Sequence, residues 1–296
     1  VSSRRTLLAD LGLLYCAAVW GATFFLVKGL VAELHPLTVI SYRFLFAALP
    51  LAAYLLYKRR PLWRDLKAGL VLSAILWLIY APQTLGLRFT TASNSGFITG
   101  TFIAFVPPLN YLLNRVRPAP LKLFAVLLSL GGLWLLTGGP SGANPGDLLT
   151  VFSAAAYAAH ILFADRYIKA GRDILAMTFQ QFAFVGAFSL LLAAVFGFPL
   201  SIASPDALGL LVFLALFPNL SAFLVQFFAQ KIASPLKVSL FLTLEPVFAA
   251  LFAWTLGREP FLPTRALGGA LIVAAMLLSE LPVRRGRMGG GKKHRS

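Results

Sequence analysis

The sequence predicts an all-α membrane protein with ten transmembrane helices arranged as two inverted five-helix repeats. Three observations predict it. Of the 296 residues, 59% are hydrophobic and only 12% charged, and the mean hydropathy is +0.82. A soluble domain carries about twice that charged fraction, and a chain of this length encloses too small a core to hide so much apolar side chain from water. Apolar stretches near 20 residues, the length at which a helix crosses hydrocarbon, recur ten times between short gaps. Lys and Arg gather in alternate gaps, the bias that orients membrane proteins.

The spans fall at about 7–30, 37–57, 67–86, 93–114, 120–137, 146–165, 174–197, 207–230, 235–257 and 264–281. Pro, Gly, Ser or charged residues mark the breaks between them, and no gap has room for a folded soluble domain. The first apolar stretch, Leu7 to about Leu34, exceeds a signal-peptide core and has no small-x-small cleavage site after it, so it reads as a retained helix. Residues 284–296 are basic and glycine-rich and are expected to be a disordered tail.

A net charge of +16 would point a soluble protein toward nucleic acid. Here the charges lie in the gaps and tails, which fits topology control, with the lipid bilayer as partner and no nucleic acid. Arg4 and Arg5, the run Lys58 to Lys67, then Arg115, Arg117 and Lys122, then Arg166, Lys169 and Arg172, then Lys231 and the tail, all fall on one side. The opposite gaps hold only Arg88, Arg258 and Arg265. Both termini are therefore expected in the cytoplasm, as ten spans also require.

The halves repeat at an offset of about 140 residues. Asp10 to Trp20 lies over Asp147 to Tyr157, Ala92-Ser93 over Ala233-Ser234, and Arg117-Pro118 over Glu259-Pro260. This divides the chain into repeats at 1–139 and 140–283 plus the tail at 284–296. Five spans per half is an odd number, so the second half enters the membrane from the opposite side, the inverted-repeat plan of secondary transporters.

Trp20-Gly21, Arg43-Phe44, Thr91-Ala92-Ser93-Asn94, Phe97-Ile98-Thr99-Gly100, Val106-Pro107 and Leu244-Glu245-Pro246-Val247 follow one another in order. Together they resemble the EamA family of the drug/metabolite transporter superfamily over about residues 8–281, and within it the YddG-type exporters of aromatic and other amino acids. The resemblance implies ten helices and cytoplasmic termini in an inner membrane. It also implies a central cavity lined by helices one to four and six to nine, and peripheral fifth and tenth helices suited to a homodimer contact. The implied activity is outward movement of small metabolites without ATP, and the sequence carries no Walker motif. No cofactor is implied.

A polar side chain at bilayer depth costs roughly 2.5–3.5 kcal/mol on insertion scales, which makes each one a candidate for substrate contact. Arg43, early in the second span, offers a bidentate fork to a carboxylate, or is structural and bonded to helix-end carbonyls. Glu245, before Pro246, is suited to a substrate ammonium or a proton, or caps the helix that Pro246 breaks. Lys237, at the end of that span, is expected to snorkel. Tyr157 and His160 share a helical face and align with Trp20 and Thr23, so they mark equivalent places on a cavity wall, or His160 is a hydrogen-bonded packing residue. Trp77, Tyr80 and Thr84 share a face beside Gln83 and a kink at Pro82. They suit an aromatic solute or, as an interfacial belt, lipid; Trp63 is the better belt residue.

Asn94 and Thr99 lie in a small-residue stretch suited to close helix packing or to a carboxylate. Pro107-Pro108 and Pro218-Asn219 free backbone carbonyls near the midplane. Gln180 and Gln181 align with Arg43, and Gln226 is a further candidate. The expected substrate-contacting set is thus Trp20, Thr23, Arg43, Trp77, Tyr80, Thr84, Asn94, Thr99, Tyr157, His160, Gln180, Asn219 and Glu245. Catalysis and a metal site are not expected: Cys16 is a lone cysteine, and the other histidines, His35 and His294, lie in a loop and the tail. The competing readings are a carrier of another solute, such as a nucleotide sugar or a drug, an intramembrane enzyme, or a non-transporting scaffold.

Overall fold

The computed structural model describes residues 3–139, 144–202, 204–255 and 261–281. Among these the chain is helical, with no strand. The expected tail, Arg258, and the Glu259-Pro260 half of one repeat landmark lie outside the described residues. The helices are α1 (Ser3–Gly21), α2 (Thr23–Glu33), α3 (Pro36–Tyr57), α4 (Leu66–Gly86), α5 (Ala92–Gly100), α6 (Phe102–Asn114), α7 (Pro120–Thr137), α8 (Pro145–Lys169) and α9 (Ile174–Val195). Then follow α10 (Pro205–Leu214), a π-helical turn (Ala215–Ser221), α11 (Ala222–Gln230), α12 (Pro235–Leu242), α13 (Glu245–Thr255) and α14 (Pro263–Glu280).

Among the described residues, eight helical stretches are long and apolar enough to cross a membrane, and several are built from two consecutive helices. The expected fifth and tenth spans, α7 and α14, appear as shorter apolar helices. Local chemistry sets the boundaries. Proline opens α3, α7, α8, α10, α12 and α14, at the position where its missing N–H costs nothing. Thr91, Asp173, Ser204 and Ser234 cap the first turns of α5, α9, α10 and α12, and Asn144 with Asp147 forms a capping box on α8. His35 caps α3 by accepting the N–H of Leu37. Burial, then Arg88, holds its imidazole below the ordinary pKa, which keeps the neutral acceptor that the cap requires.

The helices pair across the halves. α3 packs on α9, α4 on α8, α1 on α11, α6 on α12, and α7 on α14. The α7–α14 pair packs backbone against backbone. A methyl group on Gly132 would sit 2.7 Å from the carbonyl oxygen of Gly268, and one on Gly268 2.6 Å from that of Gly132. Glycine is required there because backbone meets backbone. Large apolar side chains such as Phe25, Phe124, Leu127, Trp134 and Leu277 are exposed on the outside, as lipid solvation demands.

Polar ties join loops at the end where the sequence places the cytoplasm. Arg60 meets Asp173 at 2.6 Å and Arg172 meets Asp65 at 2.9 Å, while the Asp173 N–H donates to Asp65 at 2.8 Å. The Asp173 N–H, then Arg172, holds the Asp65 carboxyl below the usual carboxylate range. That tie is present above about pH 4, the ordinary aspartate value, and is lost only as pH falls through the lowered one. Lys237 does not snorkel. It pairs with Asp10 at 2.9 Å, because a carboxylate on α1 lies within reach and bonding it is cheaper than reaching for headgroups. At the opposite end, Thr90 donates to Asp147 at 2.6 Å, and Tyr42 and Thr38 donate to the carbonyls of Leu200 and Pro199.

Gly268→Val should destabilise the protein by about 1–3 kcal/mol through overpacking, read as a lowered thermal midpoint in detergent. Gly209→Val, at a position with nothing within 4 Å, should leave the midpoint nearly unchanged.

Candidate functional site

Four helix interruptions lie around one interior space. α1 gives way to α2 at Ala22, α5 to α6 at Thr101, and α12 to α13 at Thr243-Leu244; the π-helical turn interrupts the eighth span. Two glycines allow the convergence. A Cβ at Gly21 would lie 2.5 Å from the carbonyl oxygen of Glu245 and 3.1 Å from Cβ of Phe248, so α1 passes against the start of α13. A Cβ at Gly100 would meet Leu133 at 3.0 Å and Pro246 at 3.4 Å, so the fourth and ninth spans pass each other near their breaks.

The cavity there encloses about 50 Å³, or about 570 Å³ when the adjoining space open to solvent is counted. It is lined by Trp20, Thr23, Phe24, Val27, Arg43, Ile79, Tyr80, Gln83, Thr84, Leu87, Thr99, Tyr157, Phe223 and Glu245. The broken helices supply the bonds that position these side chains. The Trp20 indole donates to the carbonyl of Pro218 at 2.7 Å, an acceptor freed by the π-helical turn. Arg43 donates to Asn219 Oδ1 at 2.7 Å, and Asn219 returns a bond to the Arg43 carbonyl at 3.3 Å. The Arg43 guanidinium lies 4.9 Å from the Tyr80 ring centre, a cation–π distance. Gln83 donates to Thr99 at 2.8 Å, and the Tyr157 hydroxyl to Glu245 at 3.3 Å. Phe223 floors the space, edge-on to Trp20 at 5.4 Å. At the other end Lys28 donates to the carbonyls of Leu87 and Thr90.

Arg43 and Glu245 are both buried and line the same cavity, yet neither is in an ion pair among the described residues. An unpaired charge is expensive in a low-dielectric interior. Each has partial satisfaction, Arg43 from one amide oxygen and Tyr80, Glu245 from one hydroxyl, and each retains hydrogen-bonding capacity. The arrangement can accept a ligand that presents an anion to Arg43 and a cation to Glu245, with aromatic rings between them.

Of the residues singled out from the sequence, Trp20, Thr23, Arg43, Tyr80, Thr84, Thr99, Tyr157 and Glu245 line the cavity, and Asn219 supports it through Arg43. The others lie elsewhere. Trp77 is about 60° around α4 from Tyr80, which turns its indole toward α9, where it donates to Ser189 at 3.2 Å. Gln180 donates to the carbonyls of Leu62 and Arg64 and so fixes a loop. His160 lies beyond Phe223, edge-on to it at 6.1 Å and 2.7 Å from Gln181 Oε1. Asn94 is buried but is not on the cavity wall. Gln226 bonds to Gln230, and Cys16 is buried and donates to the carbonyl of Ala222. Gln83 and Phe223 line the cavity without having been placed in the expected set. Gln83 had a signal, an amide beside a mid-span proline; Phe223 had none, because one phenylalanine in an apolar span looks like any other. No cluster of three His, Cys, Asp or Glu able to hold a metal ion occurs among the described residues.

Comparison with known proteins gives matches along the whole chain. The profile of the EamA-like transporter family matches residues 7–138 and again 144–281. A protein of Archaeoglobus fulgidus named "Uncharacterized transporter" is 31% identical over 279 residues, which is 94% of this chain and 88% of that protein. The Escherichia coli K12 protein named "Uncharacterized inner membrane transporter YedA" is 26% identical over 288 residues, 94% of this chain and 92% of its own. A solved crystal structure of a protein 17% identical shares the fold with a TM-score of 0.78, over 95% of this chain and 97% of that one.

Asn219→Ala removes the amide that holds the buried guanidinium. It should lower unfolding stability by about 2–4 kcal/mol, measured by denaturation in detergent. Asn110→Ala, which breaks only a surface bond to Asn114, should cost less than about 1 kcal/mol.

Proposed function

The chain belongs to the EamA-like transporter family of membrane transporters, and from that premise we propose that it exports a zwitterionic amino acid, aromatic or otherwise apolar, by alternating access. One observation carries the reading: Arg43 and Glu245 line one cavity without neutralising each other. A substrate carboxylate docks on the Arg43 fork, its ammonium on Glu245, and its side chain against Trp20, Tyr80, Tyr157 and Phe223. Satisfying both charges at once favours a zwitterion over a solute with one charge or none.

The working architecture is ten helices in two inverted repeats at 1–139 and 140–283. Two findings support it. The family profile matches each half once. The packing pairs also exchange when the halves are swapped: α3–α9 and α7–α14 map onto themselves, α6–α12 maps onto α5–α13, and α4–α8 maps onto the pairing of the eighth span with the first. The name of the Escherichia coli relative and the Lys and Arg bias support an inner-membrane location with cytoplasmic termini. The exposed faces of α7 and α14 are the surface for a homodimer. Transport of other solutes, nucleotide sugars or drugs, is the alternative within the family.

Counterflow in liposomes tests the substrate. Phenylalanine or leucine inside the vesicles should drive uptake of the labelled amino acid, while phenylalaninamide and N-acetylphenylalanine should not. Arg43→Gln and Glu245→Gln should each reduce exchange roughly 10- to 100-fold, the loss of one charge-assisted contact. Equal exchange of the amide or the acetylated analogue, or exchange of a nucleotide sugar instead, overturns the assignment. If Glu245→Gln keeps full proton-gradient-driven flux, Glu245 neither carries a coupled proton nor makes the ammonium contact assigned to it.

A further inference from the structure

A second groove lies on the outer wall, between α4 and α9, away from the cavity. Leu70, Ala74, Trp77, Phe184 and Phe188 form its sides, with Ser73 and Val185 beneath them, and its volume is about 390 Å³. From Leu70 to Trp77 the groove extends about 10 Å along α4, two-thirds of one hydrocarbon leaflet. Its inner end is closed by Trp77, bonded to Ser189 and edge-on to Phe188 at 5.2 Å.

The outer end is built rather than loose. Gln180, fully buried, donates to the carbonyls of Leu62 and Arg64 at 2.7 and 2.8 Å. Those bonds fix the loop that carries Trp63, whose ring lies 5.8 Å from Phe184 and 5.7 Å from Phe179. Trp63 is 54% exposed, as an aromatic at the headgroup level should be. Five basic residues and one acid occupy positions 58–67. That acid, Asp65, is matched by Arg172, and the nearby Asp173 by Arg60, so the mouth stays positive. Lys67 stands three residues before Leu70, on the same stripe of α4.

We propose that this groove is a binding site for an anionic phospholipid, with one acyl chain along Leu70, Ala74 and Trp77 and the phosphate at Arg64 and Lys67. The apolar lining matches the chain and the basic mouth matches the headgroup. The site stands apart from the transport cavity and does not depend on what that cavity carries.

Native mass spectrometry of the full chain, released from micelles carrying equal amounts of phosphatidylglycerol and phosphatidylcholine, tests it. The wild type should retain phosphatidylglycerol preferentially. The Arg64→Ala, Lys67→Ala double variant, altered at exposed positions, should lose that preference by at least about tenfold, since each basic residue near an anionic surface contributes about 1 kcal/mol. Ala74→Phe should lose the retained lipid of either headgroup by filling the groove, and its thermal midpoint reports whether it has folded. If Ala74→Phe does not fold, Ala74→Leu takes its place with the same expectation. Equal retention of both lipids by the wild type overturns the proposal, as does an undiminished preference in the double variant. A headgroup site without a chain is also an overturning result: free inorganic phosphate would then raise the midpoint in phosphatidylcholine as much as phosphatidylglycerol does.

Discussion

In hydrocarbon every backbone and side-chain polar group needs a partner within the protein, and this fold depends on how that constraint is met where its helices break. Each break frees donors and acceptors at bilayer depth, and side chains from other helices take them up. Trp20 bonds the carbonyl freed before Asn219, and Asn219 holds Arg43. Tyr157 bonds the glutamate that starts α13. The breaks are therefore affordable only because they cluster, and the cluster is the cavity. Position and polarity of the site are consequences of one accounting of hydrogen bonds.

The same constraint separates site from scaffold. Gln180, Gln230 and Ser153 are as buried as the cavity residues, but each bonds a backbone carbonyl of another segment, of Leu62, Ile161 and Ile79 respectively. They join helices. Arg43 and Glu245 differ in having no ion-pair partner among the described residues. Burial alone therefore does not set these two apart; burial without an ion pair does, and that is what makes them candidates for substrate contact.

Much of the fold was legible in the sequence because membrane spans are written in length, proline and charge. Pro36, Pro120, Pro145, Pro205, Pro235 and Pro263 open helices as the pattern of breaks implied. Trp20, Arg43, Tyr157 and Glu245 stood out because polar and aromatic groups at bilayer depth are costly enough to be noticed. What was not legible depended on angle and distance. Trp77 and Tyr80 are three residues apart, yet one faces α9 and the other the cavity. Lys237 looked like a snorkelling lysine because its partner, Asp10, is 227 positions away. Phe223 and Gly21 gain their roles from what lies opposite them, which no local pattern records.

The central claim is a hydrated cavity whose occupant is an amino acid. Thiol accessibility at its wall tests this most directly, with Thr84→Cys introduced into a Cys16→Ala background. A small methanethiosulfonate should modify Cys at position 84, and saturating phenylalanine should slow the reaction while phenylalaninamide leaves it unchanged. A thiol that never reacts, or that reacts equally fast with and without the amino acid, would contradict the account.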